Sequence, residues 1–184
     1  MSNITNNRKK LVFLIITAIF IALTYVFTAF VNIRLPIMGN GGLIHLGNVP
    51  LFIAAIILGK KSGAVVGAFG MGLFDLLSGW VTWAPFTLVI VALMGFSVGL
   101  ITEKRRKLPW YILAFALATV IKIVGYYFAE VILYKNWIVP FASIPGNIIQ
   151  VVTAAILVCI VIKPIEMAAE RAPKLYKLDE DNPL

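Results

Sequence analysis

Long apolar runs, separated by short polar or glycine- and proline-containing links, dominate this sequence. Six stand out: Leu11–Val31, Leu43–Leu58, Ser62–Gly79, Pro85–Thr102, Trp110–Tyr134 and Ser143–Lys163. Apolar stretches of roughly 18 or more residues mark helices that cross a bilayer. The pattern predicts an all-α integral membrane protein: one bundle of six transmembrane helices over residues 1–184, with no soluble domain. The second run is short, about 24 Å as a helix, and predicts a span completed by irregular backbone. Turn residues supply the breaks: Pro36, Gly39-Asn40-Gly41-Gly42, Gly59-Lys60-Lys61, Trp80 to Pro85, Pro109 and Pro140. The first run follows a polar, basic start as a signal sequence does. It is too long for a signal core, no small-residue cleavage motif closes it, and more spans follow, so it reads as a retained helix. From Pro164 the tail is amphipathic and then acidic, Asp179-Glu180-Asp181, a frayed end.

Composition agrees with the pattern, at 61% hydrophobic and 13% charged residues. The net charge of +8 would suggest a nucleic-acid partner in a soluble protein, but here the basic residues sit in short clusters between spans. One set of links carries Arg8, Lys9, Lys10, Lys60, Lys61, Lys104, Arg105, Arg106, Lys107, Lys163, Arg171, Lys174 and Lys177. The other carries only Arg34 and Lys135. Basic residues favour the cytoplasmic side, so both termini are expected there, in keeping with an even number of spans. The outer side then holds the loop Asn32–Gly42, the link Gly79–Ala84 and the loop Lys135–Ala142. The single cysteine, Cys159, lies in an apolar run and reads as a small hydrophobe.

Ionisable groups inside spans are costly and call for an explanation. There are three: Asp75, Lys122 and Glu130. Lys122, Tyr126 and Glu130 are four apart and share one helix face, a polar stripe that runs outward. Asp75 lies near the outer end of the third span. Asn147 and Gln150 begin the sixth span and His45 and Asn48 the second, again at the outer side. Trp80 and Trp83 bracket the outer link. These residues describe a cup open to the outside, with carboxylates, a cation, amides and flat aromatic walls. It suits a small planar polar solute. The glycine-rich loop Asn32–Gly42 is long enough to act as a lid. Plainer roles stand beside these. Lys122 could simply pair with Asp75 or Glu130. Trp80, Trp83 and Trp137 could form an interfacial belt. His45 could cap a helix start, and Asn147, after Pro145-Gly146, could be a turn or cap residue.

Small residues four apart let helix backbones approach closely. Gly63/Gly67, Ala68/Gly72 and Gly95/Gly99 read as internal packing, and Ala18/Ala22 as a candidate external contact. Gly59-Lys60-Lys61-Ser62 is not a phosphate loop: the spacing fails, and no strand precedes it. No paired histidines or cysteines suggest a metal site, and no cofactor site or hydrolytic triad is readable.

The stretch Gly42-Leu43-Ile44-His45-Leu46-Gly47-Asn48-Val49-Pro50, through Gly59-Lys60-Lys61-Ser62-Gly63 to Phe74-Asp75-Leu76-Leu77-Ser78-Gly79-Trp80, resembles the substrate-binding S components of energy-coupling factor vitamin transporters. The likeness is to the riboflavin-type branch, which includes hydroxymethylpyrimidine and pyridoxine proteins, and it covers nearly the whole chain. It implies a protein of the bacterial plasma membrane that captures a vitamin in an outward pocket beneath the first loop. It further implies docking, through Ala18 and Ala22, on a separate transmembrane coupling subunit moved by two ATPases, with the S component toppling to release the solute inside. No ATPase is then expected in this chain. Asp75, Glu130, Asn147 and Gln150 could bond an aminopyrimidine or a hydroxymethyl pyridine, and Lys122 a ring acceptor. The order of expectation is hydroxymethylpyrimidine, pyridoxine, riboflavin, then another vitamin such as pantothenate. The rival readings are a self-contained proton-coupled transporter, a small intramembrane enzyme using Asp75, Glu130 and His45, and a structural subunit that binds no solute.

Overall fold

The computed structural model describes residues 2–34 and 43–171. Six helices make up almost all of it: α1 (Ser2–Phe30), α2 (Asn48–Leu58), α3 (Lys60–Leu77), α4 (Ala84–Thr102), α5 (Leu108–Tyr134) and α6 (Ile144–Arg171). A short hairpin, β1 (Asn32–Arg34) and β2 (Leu43–His45), joins α1 to α2, and a 3-10 turn, Val139–Ser143, leads into α6. The hairpin is antiparallel, pairing Asn32 with His45 and Ile33 with Ile44. The bond from Leu46 N–H to the Val31 carbonyl, 3.0 Å, continues its ladder.

The second apolar run is therefore not helical from Leu43. Its first residues form a strand, and the helix starts at Asn48. Eleven residues of helix span only about 16 Å, well short of the roughly 30 Å hydrocarbon layer. The expected irregular backbone completes this run. Among the described residues, four helical segments are long and apolar enough to cross a membrane: Asn7–Phe30, Ala84–Thr102, Leu108–Tyr134 and Val139–Arg171. α3 falls outside that set because Lys60, Lys61 and Asp75 lie within its 18 residues. α6 runs on through Pro164 to Arg171, so the part of the tail before residue 172 is helix rather than frayed chain. The acidic end lies outside the described residues.

α2 is apolar all round and sits where such a helix must, at the centre of the bundle. Leu51, Phe52, Ala54, Ala55 and Ile56 are fully buried and pack with residues of α4, α5 and α6. The other helices each turn an apolar face outward, such as Leu14, Ile19 and Leu23 on α1 and Ile112, Val120 and Val124 on α5. That exposure is what lipid contact requires and what a soluble fold would not tolerate.

The closest helix pair is α3 on α4, and glycine makes it possible. A methyl group at Gly63 would come within 2.5 Å of the Gly95 carbonyl oxygen, and one at Gly67 within 2.5 Å of the Val91 carbonyl oxygen. At Gly99 it would meet the Lys60 backbone at 2.5 Å. The spaced glycines are thus internal packing. Ala18 and Ala22 behave differently: both are exposed on α1. Gly59 alone separates α2 from α3, with a φ of 87° that a residue with a side chain rarely adopts.

The end of the bundle remote from the hairpin is held by charge. The buried Glu166 carboxylate accepts from the Tyr111 hydroxyl, lies 3.1 Å from Lys163 Nζ and is 3.9 Å from Arg106 Nε. Lys60 pairs with Glu103 at 3.0 Å.

Gly67→Val forces a side chain into the Val91 backbone. It is expected to cost about 1–3 kcal/mol or more by overpacking, while Ile112→Ala on the exposed face of α5 is expected to change stability little. Thermal unfolding midpoints of the two variants in the same detergent check this contrast.

Candidate functional site

At the hairpin end, seven elements and the α3–α4 link bring polar and aromatic side chains around one cavity of about 160 Å³. α5 supplies one wall. Lys122, Tyr126 and Glu130 line it as one stripe, and the same four-residue step extends to Tyr134. Tyr134 was absent from the sequence reading, although that spacing pointed to it.

α3 contributes Met71, Phe74 and Asp75, and its ending fixes the next wall. Gly79 takes a φ of 85°, and Trp80 N–H bonds the Asp75 carbonyl at 2.9 Å, the closing bond of a Schellman turn. Trp83 N–H then bonds the Trp80 carbonyl at 2.8 Å. This tight link places Trp80 and Trp83 at the cavity. Trp83 stands 6.3 Å from the Tyr126 ring and 6.1 Å from Tyr134, centre to centre. Trp137 takes the other course and is 64% exposed on the outside of the bundle. One helical turn beyond Trp83, the Thr87 hydroxyl shares a 3.1 Å hydrogen bond with the Tyr126 hydroxyl. Thr87 was also missed, because a lone threonine in an apolar helix gives no distinctive signal.

The opposite wall is α6 and its approach. Lys135 ends α5 in a left-handed conformation, φ 51°. The Asn136 side-chain oxygen then accepts from the N–H groups of Ile138 and Val139 at 2.7 and 3.0 Å, an Asx turn that starts the 3-10 segment. Ser143, Gly146, Asn147 and Gln150 follow at helical spacing and line the cavity. Asn147 is inside α6 rather than a cap.

The buried cation of the cavity is Lys122, only 2% exposed. Its ammonium donates to the Gln150 side-chain oxygen. It lies 5.4 Å from the centre of the Tyr126 ring. Among the described residues no carboxylate comes within ion-pair distance of it; the pairs Lys60–Glu103, Arg106–Glu166 and Lys163–Glu166 sit at the other end. The suggested pairing of Lys122 with Asp75 or Glu130 is thus replaced by an amide contact. Gln150 Nε2 in turn donates to the Leu43 carbonyl of β2 at 2.9 Å, so one side chain ties the buried cation to the hairpin.

His45 lines the cavity from β2, not from a helix. Its Nδ1 accepts from Gly47 N–H at 3.2 Å, just before α2, so it caps a helix approach and faces the cavity together. That bond leaves Nε2 as the donor of the neutral ring. Because His45 is on a strand and Asn48 opens α2, the two do not share a helical face. Asn48 is fully buried and is not among the cavity-lining residues. The lid assigned to Asn32–Gly42 falls largely on residues 35–42, outside the described residues.

The structure thus places a polar, aromatic-walled cup at one end of an apolar helical bundle. The chain belongs to the S-component family described as "ECF-type riboflavin transporter, S component", whose model matches residues 8–167. It is similar to the thiamine precursor transporter HmpT of Lactococcus lactis subsp. cremoris, with 32% identity over 152 residues, 82% of this chain and 84% of the relative. It also resembles an uncharacterized protein of Pyrococcus woesei, with 28% identity over 102 residues, 55% of this chain and 68% of the relative. The family makes it a multi-pass membrane component of a vitamin or vitamin-precursor transporter, not an enzyme.

Gln150→Leu strands the Lys122 ammonium without its oxygen and frees the Leu43 carbonyl; a loss of about 1–3 kcal/mol is expected. Adding Lys122→Met should recover much of it, since a pair removed together costs less than one partner removed alone. A double-mutant cycle on unfolding midpoints measures the coupling.

Proposed function

We propose that this protein captures a single-ring vitamin precursor in the cup, with a hydroxymethylpyrimidine favoured and pyridoxine next. The observation that carries the reading is the size and lining of the cavity. Its volume of about 160 Å³ is close to that of a cavity of about 150 Å³ that accepts one benzene ring. A three-ring flavin is a poor match to that space. The name of the Lactococcus relative, a thiamine precursor transporter, favours the same choice.

In this reading the ring stacks against the Trp83–Tyr126–Tyr134 wall. Asp75 and Glu130 accept from an exocyclic amine or hydroxyl, and Asn147 orients the ring edge. Lys122 donates to a ring nitrogen or hydroxyl oxygen, exchanging or sharing its Gln150 contact. Tight selection follows from that base: a solute lacking the acceptor leaves a buried cation with one partner fewer. His45 Nε2 and Trp80 close the side nearest the hairpin.

The remainder concerns partners and topology. The cup faces outward, both termini are cytoplasmic, and α2 and α3 complete six crossings with the four long helices. The concentration of basic residues at the end opposite the cup supports this orientation. Delivery inward depends on a transmembrane coupling subunit and two ATPases in other chains. Ala18 and Ala22, exposed on α1 among larger apolar residues, form the notch where a helix of the coupling subunit approaches closely.

Purified protein titrated with hydroxymethylpyrimidine, pyridoxine and riboflavin should bind one of the two single-ring compounds at one per chain, read by native mass spectrometry and calorimetry. Asp75→Ala and Lys122→Ala should each weaken that binding by roughly tenfold or more, the loss of one hydrogen bond to a charged group. Preference for riboflavin would overturn the single-ring assignment, and unchanged affinity in both variants would remove the cup. Ala18→Trp should leave titration unchanged and abolish co-purification with the coupling subunit. Normal assembly in that variant would refute the notch.

A further inference from the structure

The end remote from the cup carries a second recess, of about 390 Å³, between the α3 start and the α4–α5 link. Its rim is cationic and its inner wall apolar. Lys60, Glu103, Lys104 and Arg105 form the rim, with Leu100 and Trp110 on the wall. The cations are not equivalent. Lys60 is committed to Glu103 at 3.0 Å. Lys104 and Arg105 have no carboxylate partner among the described residues. The Arg105 guanidinium is nonetheless held in place, stacked 3.9 Å from the centre of the Trp110 ring. Stacking covers one face of the guanidinium and leaves its N–H edge open to an oxyanion.

The recess also opens onto an apolar strip. Leu93, Phe96 and Leu100 follow one another at helical spacing on α4, each between 39% and 52% exposed. An aromatic ring and a fixed cation at the head of a lipid-facing strip match the two parts of a phospholipid, a phosphate and an acyl chain.

We propose that this recess binds one anionic glycerophospholipid, its phosphate held by Lys104 and Arg105 and one acyl chain lying along Leu93, Phe96 and Leu100. The rim carries three cations against one carboxylate, so an anionic headgroup is favoured over a zwitterionic one. The site lies at the opposite end from the cup and does not depend on which solute the cup holds.

The test is native mass spectrometry of the detergent-purified full chain with added phosphatidylglycerol or phosphatidylcholine, repeated with inorganic phosphate as competitor. Phosphatidylglycerol should give one retained lipid per chain and phosphatidylcholine markedly less. The double variant Lys104→Ala/Arg105→Ala should weaken phosphatidylglycerol retention roughly tenfold or more, as expected for two cations near the membrane surface. Arg8→Ala/Lys10→Ala, which removes the same charge at the same end but outside the recess, should have little effect. Solute titration of both variants reports that the bundle is intact. Equal loss in the two double variants would show diffuse attraction and overturn the site. Displacement of the lipid by millimolar phosphate would assign the recess to a free anion and overturn the lipid reading. Equal retention of both lipids would do the same for headgroup selection.

Discussion

An ammonium group sunk into an apolar bundle must find oxygen or be unstable there, and the arrangement at the hairpin end follows from how Lys122 finds it. The contact is to an amide rather than a carboxylate. A neutral partner satisfies a donor without pairing it with an opposite charge. Gln150 lies on α6, one turn after the buried Gly146. Its other end reaches the backbone of β2. The cation, the sixth helix and the hairpin are in this way one connected polar unit within an apolar protein, and the carboxylates Asp75 and Glu130 remain along the cup walls instead of being consumed by it.

Much of this was readable in the residues. Apolar runs and their punctuation located the long helices, since length and absence of charge leave few alternatives to a span. The gathering of polar side chains at one end was readable because each sat at a fixed offset from a break. The stripe Lys122, Tyr126, Glu130 needed only helical periodicity. The hairpin was not readable. Leu43 to His45 is as apolar as the helix that follows, and no period distinguishes three residues of strand from one turn of helix. That ambiguity put Asn48 among the expected cup residues, whereas the structure buries it away from the cavity lining. The partner of Lys122 was also hidden, because a contact 28 residues away depends on how α5 and α6 cross, which local pattern does not carry.

The two ends of the bundle solve opposite problems. At one, polar groups converge on empty space and are only partly satisfied by one another, as a site for a small solute requires. At the other, one carboxylate is enclosed inside the protein: Glu166 is surrounded by Tyr111, Lys163 and Arg106. That cluster ties α5 and α6 together at one end, while at the other the polar groups face a cavity.

The single-residue joint at Gly59 has a consequence for how the chain enters the membrane. α2 is too short to be a stop-transfer segment, and α3 carries too much charge to be a strong one. Neither helix can hold a place in lipid on its own merits. In the proposed six-span topology, the two helices, joined without slack, would enter as a hairpin, with α4 seating against the glycines of α3. The placement of this stretch would then be an outcome of tertiary assembly rather than of hydrophobicity read segment by segment.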